Sequence, residues 1–120
     1  GLGTCSAVMS AAEHDRLVAR ISHIPHVLAA VCALVALENA EDGKFAGAGL
    51  RDTSRVAGGD PAMWAEILLE NRQEIIPPLK ESARILMRLA ELMEENKEND
   101  LRAVLEEGQL RRQSLENNHS

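Results

Sequence analysis

Aromatic side chains are almost missing from this sequence: Phe45 and Trp64 stand alone, and there is no tyrosine. The apolar content comes almost wholly from Ala, Leu, Val, Ile and Met, set among many Glu and Arg. Strands select β-branched and aromatic residues, so this balance disfavours a sheet and predicts an all-α fold. Cysteine is scarce as well. Cys5 and Cys32 are too few and too isolated for a disulfide framework or a thiolate metal site, so both read as small apolar residues in a reducing, cytoplasmic setting. Positive charge is in deficit, with 13 Lys and Arg against 19 Asp and Glu and a formal net charge of -6. Such a chain repels a polyanion, and no basic stripe with interleaved aromatics occurs, so no nucleic-acid partner is expected.

A long uninterrupted apolar run is lacking too. The stretch from Ile24 to Leu37 is broken by Pro25 and His26 and falls short of the roughly 20 residues a membrane span needs. It reads as a buried helix, with no membrane partner. The first residue is not methionine, and Gly1-Leu2-Gly3-Thr4-Cys5-Ser6 lacks the charged-then-apolar order of a secretory signal. The chain is therefore expected to be a piece of a longer polypeptide. Its 120 residues fit one modest domain.

What is present is helical patterning. Ser10-Ala11-Ala12-Glu13 has the form of a capping box, so a helix is expected to begin there. Leu17, Val18, Ile21, Ile24, Leu28, Val31, Leu34 and Val35 then recur at helical spacing to about Leu37. Pro25 removes a backbone donor inside this run, which predicts a kink near Ser22 to Ile24. From Asn39 to Gly59 the pattern fails and Gly43, Gly47, Gly49, Gly58 and Gly59 collect, as in a long functional loop. Asp60-Pro61 is a strong helix start. A second long helix is expected to follow to about Met93, bent or briefly broken at Pro77-Pro78, and Asn99-Asp100 to cap a third from Leu101 to Leu115, leaving Glu116 to Ser120 as a frayed tail. Two helices of about 30 residues would each run about 45 Å, too long for one small domain to cover. Ala29, Ala30, Ala33 and Ala36 permit close helix approach, so long helices forming an intertwined homodimeric bundle are predicted.

Three places carry chemistry. Ser22 and His26 lie four residues apart on one helix face, with His23 about a quarter-turn from Ser22. Either the pair touches one ligand, or the serine bonds back to the helix and the histidine is satisfied at the kink. A zinc site on His23 and His26 lacks a third ligand at convincing spacing, so no metal is expected. The segment Gly47-Ala48-Gly49-Leu50-Arg51-Asp52-Thr53-Ser54-Arg55 offers glycines, hydroxyls and two guanidinium groups, a combination suited to a carboxylate ligand. The alternative is a surface loop with Arg51 or Arg55 paired to Asp52 or Asp60. Trp64, in the first turn of the next helix, is either a core anchor or a ligand contact.

Taken in order, Glu13-His14-Asp15, Ser22-His23-Ile24-Pro25-His26, Gly49-Leu50-Arg51-Asp52-Thr53-Ser54-Arg55-Val56-Ala57, Asp60-Pro61-Ala62-Met63-Trp64 and Asn71 resemble the C-terminal domain of the prephenate and arogenate dehydrogenases of tyrosine biosynthesis. The resemblance covers roughly Val8 to Leu92, and SHxPH is its most specific element. It implies that residues 1–120 are a C-terminal helical dimerisation and substrate domain, completed by an N-terminal Rossmann domain of the same polypeptide that binds NAD or NADP. The implied reaction is oxidative decarboxylation of prephenate to 4-hydroxyphenylpyruvate, or of arogenate to tyrosine. The resemblance places Ser22, His26, Arg55 and Trp64 in the substrate pocket, Arg55 on a substrate carboxylate. It puts no catalytic residue and no cofactor-binding residue in this chain, because no strand leads into a GxGxxG turn. The isolated domain is thus expected to be inactive. A helical dimerisation scaffold with no ligand of its own is the competing expectation, and it requires Ser22, His26 and Arg55 to be dispersed and satisfied by protein partners.

Overall fold

The computed structural model describes residues 9–117, and every regular element among them is helical. The chain divides into two compact units, residues 9–79 and, among those described, residues 80–117. The first holds α1 (Ala11–Val18), a π-helical segment (Ala19–His23), α2 (Ile24–Ala36), a 3-10 turn (Ala40–Phe45), α3 (Ala48–Ser54), a second 3-10 turn (Arg55–Gly58), α4 (Pro61–Glu70) and the start of α5 (Arg72–Glu94). The second holds the remainder of α5 and α6 (Glu98–Asn117). Cys5, the Gly1-Leu2-Gly3 opening and His119 lie outside the described residues.

The first helix begins where its capping sequence places it, with the Glu13 N–H donating to Ser10 Oγ at 3.1 Å. The irregularity expected from Pro25 takes the form of a π segment. Proline has no N–H to return to the carbonyl four residues back, and just before it the helix widens so that the Ile24 N–H bonds to the Ala19 carbonyl five residues away. Residues 11–36 therefore run as one helix that is long and apolar enough to cross a membrane by length and composition.

That helix corrects the expectation of a buried apolar stripe. Its buried positions are Ala19, His23, His26 and Ala29, a face of small and polar side chains. The apolar face looks outward, with Leu34 74% and Val35 72% exposed and Ile21, Leu28 and Val31 exposed as well. The physical reason is the small inner contact. α2 packs against α3 and the Arg55–Gly58 turn, elements too short to cover a stripe of five branched side chains.

Two further expectations change. The segment from Asn39 to Gly59 is short helical turns more than loop, held at its start by Asn39, whose side chain accepts the Glu41 N–H at 3.2 Å. The second long helix breaks at Asn71, not at Pro77-Pro78, which both sit inside α5. Asn71 leaves helical geometry (φ -107°, ψ 21°) yet keeps its backbone engaged: its N–H reaches the Ile67 carbonyl, and its own carbonyl receives the Glu74 and Ile75 amides at 3.1 Å each. The break therefore costs few backbone bonds, and it frees the Asn71 side chain for contacts across the unit.

In the second unit, α5 ends on a Schellman turn. Asn96 adopts φ 55°, the left-handed conformation that asparagine tolerates, while the Asn96 N–H reaches the Met93 carbonyl and the Lys97 N–H the Leu92 carbonyl. α6 then starts at Glu98, so Asn99 and Asp100 lie in its first turn and do not cap a helix beginning at Leu101. Glu116 and Asn117 remain helical, where a frayed tail was expected. Leu92 is the large side chain fully buried here.

Candidate functional site

The inner face of the first helix carries two histidines. On a regular α-helix Ser22 and His26 would share a face, but here His23 and His26 are buried and Ser22 is exposed. Both histidines meet Trp64. The His26 ring stacks on the indole, centroids 3.7 Å apart and planes 11° from parallel, while the His23 ring meets it edge-on at 6.0 Å and 83°. The opposing wall is fixed by local sequence: Asp60 Oδ1 accepts the Ala62 N–H at 3.2 Å, Pro61 occupies the first helical position, and Trp64 follows within that first turn.

Gly59 supplies the space for this stack. A Cβ added there would lie 2.8 Å from Trp64 Nε1 and 3.4 Å from His26 Cε1. Only a residue without a side chain lets the chain pass so close behind the indole.

Arg55 opens the 3-10 turn that packs on α2 and ends at Gly58, one residue before Gly59. It is exposed, and among the described residues neither Arg55 nor Arg51 forms an ion pair, so the expected alternatives with Asp52 and Asp60 are not formed. The Ser22 hydroxyl likewise has no hydrogen-bond partner among the described residues. Ser54, by contrast, bonds back to the Leu50 carbonyl at 2.6 Å. Of the sequence-predicted set, then, the fold brings His26 and Trp64 into direct contact. Ser22 is exposed on the π segment and Arg55 on the adjoining turn.

Sequence reasoning missed three contributors. His23 was set aside for pointing about a quarter-turn from Ser22, although it lies three residues from His26 and shares that residue's helix face. Gly59 was counted among loop glycines, although its place just before Asp60-Pro61 and five residues before the indole residue was a usable signal. Asn71 was noted without a role; its Nδ2 donates to the Asp15 carbonyl at 2.9 Å and lies 3.3 Å from His23 Nδ1. Burial pushes the His23 imidazole below its ordinary pKa, with the nearby Asp15 carboxylate opposing. Among the described residues, no group of three or more His, Cys, Asp or Glu is arranged to hold a metal ion.

A larger groove lies elsewhere. It encloses about 670 Å³ in the second unit, between α5 and α6, and is lined by Ile85, Ala103, Val104 and Gly108 with arginines and glutamates at its rim. Those arginines are already paired along their own helices: Arg84 with Glu81, Arg88 with Glu91 at 3.8 Å and Arg111 with Glu107 at 3.1 Å. The groove has size but no converging chemistry, so the His–Trp cluster is the better candidate site.

Fold and site together define an all-helical module that offers a stacked histidine and unpaired polar side chains in one unit and a broad apolar face along its first helix. The chain belongs to the prephenate dehydrogenase dimerization-domain family, whose sequence profile, described as "Prephenate dehydrogenase, dimerization domain", matches residues 10–107. It is 34% identical over 99 residues to the prephenate dehydrogenase of Bacillus subtilis (strain 168), an alignment covering 78% of this chain and 26% of that protein. Its fold matches the crystal structure of Synechocystis arogenate dehydrogenase with a TM-score of 0.79 at 26% identity, over 91% of this chain and 41% of that one. It also matches prephenate dehydrogenase from A. aeolicus in complex with hydroxyphenyl propionate and NAD+, with a TM-score of 0.75 at 32% identity, over 89% of this chain and 39% of that one. The chain thus spans well under half the length of these relatives.

Proposed function

We propose that this chain is the dimerising and pocket-forming part of an NAD- or NADP-dependent prephenate dehydrogenase, which converts prephenate to 4-hydroxyphenylpyruvate by oxidative decarboxylation in the cytoplasm. The observation that carries the reading is the His26–Trp64 stack beside a turn whose Arg55 guanidinium has no protein partner among the described residues. A planar apolar wall next to an uncommitted cation and an exposed hydroxyl at Ser22 suits a ring that bears carboxylates. Arg55 would hold a carboxylate through paired hydrogen bonds, His26 and Trp64 would wall the ring and exclude water, and Ser22 would contact a polar substituent. A bare scaffold is the alternative, and it requires Ser22, His26 and Arg55 to be dispersed and satisfied by protein partners in the dimer.

The described residues do not fit a dinucleotide: no strand feeds a glycine-rich turn at a helix start. The reading therefore assigns NAD or NADP to a Rossmann domain of the same polypeptide, and no catalytic step is assigned to this chain. It also assigns the exposed face of Ile21, Leu28, Val31, Leu34 and Val35 to a second copy in a homodimer, because burying five such side chains stabilises association by several kcal/mol, at about 1.5–3 kcal/mol each before the costs of binding. Arogenate is the second candidate substrate, favoured by the fold match to an arogenate dehydrogenase.

The test is cofactor reduction by the full-length polypeptide, offered prephenate and arogenate separately with NAD and with NADP. Turnover of prephenate supports the proposal, turnover of arogenate alone moves the assignment to the second substrate, and turnover of neither overturns both.

A further inference from the structure

Asn71 and His23 form a pair whose hydrogens can be placed by elimination. The Asn71 side-chain atom 2.9 Å from the Asp15 backbone carbonyl must be its NH2 group, because a carbonyl oxygen only accepts. Turning the amide over would set two oxygens against each other. The same nitrogen lies 3.3 Å from His23 Nδ1. Since the NH2 group only donates, Nδ1 must accept and carry no proton, and the neutral ring must carry its proton on Nε2. The backbone supports this arrangement: the break between α4 and α5 falls at Asn71, and only there does the side chain reach α1 and the π segment together.

His23 Nε2 is free to act outward. It has no hydrogen-bond partner among the described residues, yet no buried side-chain nitrogen or oxygen is left without one, so Nε2 reaches accessible surface although the residue as a whole is only 8% exposed. We propose that Asn71 is a positioning residue that locks His23 as the neutral Nε2–H tautomer, so that the largely buried ring presents a hydrogen-bond donor at the accessible surface. The donor serves an oxygen of the bound substrate, a clause that rests on the proposed function; the tautomer does not. His23 lines a cleft of about 360 Å³ with His14 and Asp15 from α1 and Glu70 and Asn71 from the α4 end, and its ring meets the Trp64 ring edge-on. Of these groups, Asn71 is the one placed within hydrogen-bond distance of Nδ1.

The experiment is 15N-histidine NMR on the full-length enzyme, with the ring of His23 assigned by its loss in His23→Gln. Wild type is expected to show a protonated Nε2 and an unprotonated Nδ1 at neutral pH. Asn71→Asp, nearly the same size, replaces the donor with an anionic acceptor. It should move the proton to Nδ1 and raise the ring's proton affinity about tenfold or more. A wild-type proton on Nδ1, or an unchanged tautomer in Asn71→Asp, overturns the proposal. The wild-type measurement decides even if the variant does not fold. Adding saturating prephenate should shift the Nε2 resonance; no shift in an enzyme that turns prephenate over overturns the donor role alone, whereas no turnover removes the functional reading and leaves the tautomer standing.

Discussion

The two units of the chain are held by different kinds of contact. In residues 9–79, groups far apart in sequence meet at defined angles: Asn71 reaches Asp15 and His23, Trp64 stacks on His26, and Gly59 passes behind the indole. In residues 80–117 the ion pairs join near neighbours along the chain, such as Arg102 with Glu98 and Arg112 with Glu116, and almost every side chain is exposed. Near-neighbour pairs stiffen a helix wherever it goes, but they do not say what it packs against. Long-range polar contacts fix a single geometry, as a ligand site needs.

The sharpest way to break the contrast is at the outward face of α2. Leu34→Glu together with Val35→Glu should dissociate the proposed homodimer of the full-length polypeptide, at about 3–5 kcal/mol for charges buried unpaired, as read by sedimentation equilibrium. A dimer of unchanged strength would mean that this face is not the interface. Next is Arg55→Ala in the full-length enzyme, expected to weaken substrate binding by about 1.5–3 kcal/mol through loss of a hydrogen bond to a charged group, seen as a higher KM. Unaltered KM would remove Arg55 from the pocket.

Gly59→Ala probes the long-range unit from behind the stack. The new Cβ meets the indole at 2.8 Å, so Trp64 must move, and a destabilisation of about 1–3 kcal/mol with a changed Trp64 emission is expected. Protonation offers a gentler handle. The folded-state pKa of His23 is lowered from 6.5, so the unfolded chain binds the proton more readily. Its contribution is complete above pH 6.5 and is lost as pH falls from there toward the lowered value. Thermal melts should therefore show a drop in Tm over that window that His23→Gln reduces. The smallest effect belongs to the second unit: Glu107→Gln breaks the exposed pair with Arg111 and should cost about 0.3–0.5 kcal/mol in denaturant melts, less in high salt.

Two helix starts were legible in the sequence because each depends on one or two adjacent residues: Ser10 and Asp60 cap where they were expected to, whereas α6 begins at Glu98, before the expected Asn99-Asp100 cap. The aromatic partner of His26 was legible only as a resemblance, since nothing local says that residues 26 and 64 meet. His23 was misread for a definite reason: its angle was taken from Ser22 and not from His26, three residues on, and Pro25 signalled an irregularity without giving its kind. The break at Asn71 was misplaced because prolines are louder than asparagine in sequence. Asn71 ends a helix through what its side chain finds in the folded unit, which a linear reading does not contain.

The π segment between α1 and α2 acts as a phase shifter. Widening one turn holds about one residue more than an α-turn would, and each residue of an α-helix advances the direction of the side chains by about 100°. Everything downstream of Ala19–His23 is therefore rotated relative to what precedes it. Deleting a single residue within that segment would restore a plain α-helix of nearly the same sequence and swing the whole of α2 about its axis, turning His26 off the indole and the Leu34–Val35 ridge toward a different neighbour. The His26 ring and the exposed Leu34–Val35 ridge ride on one rod, and one extra residue sets the angle of both relative to α1.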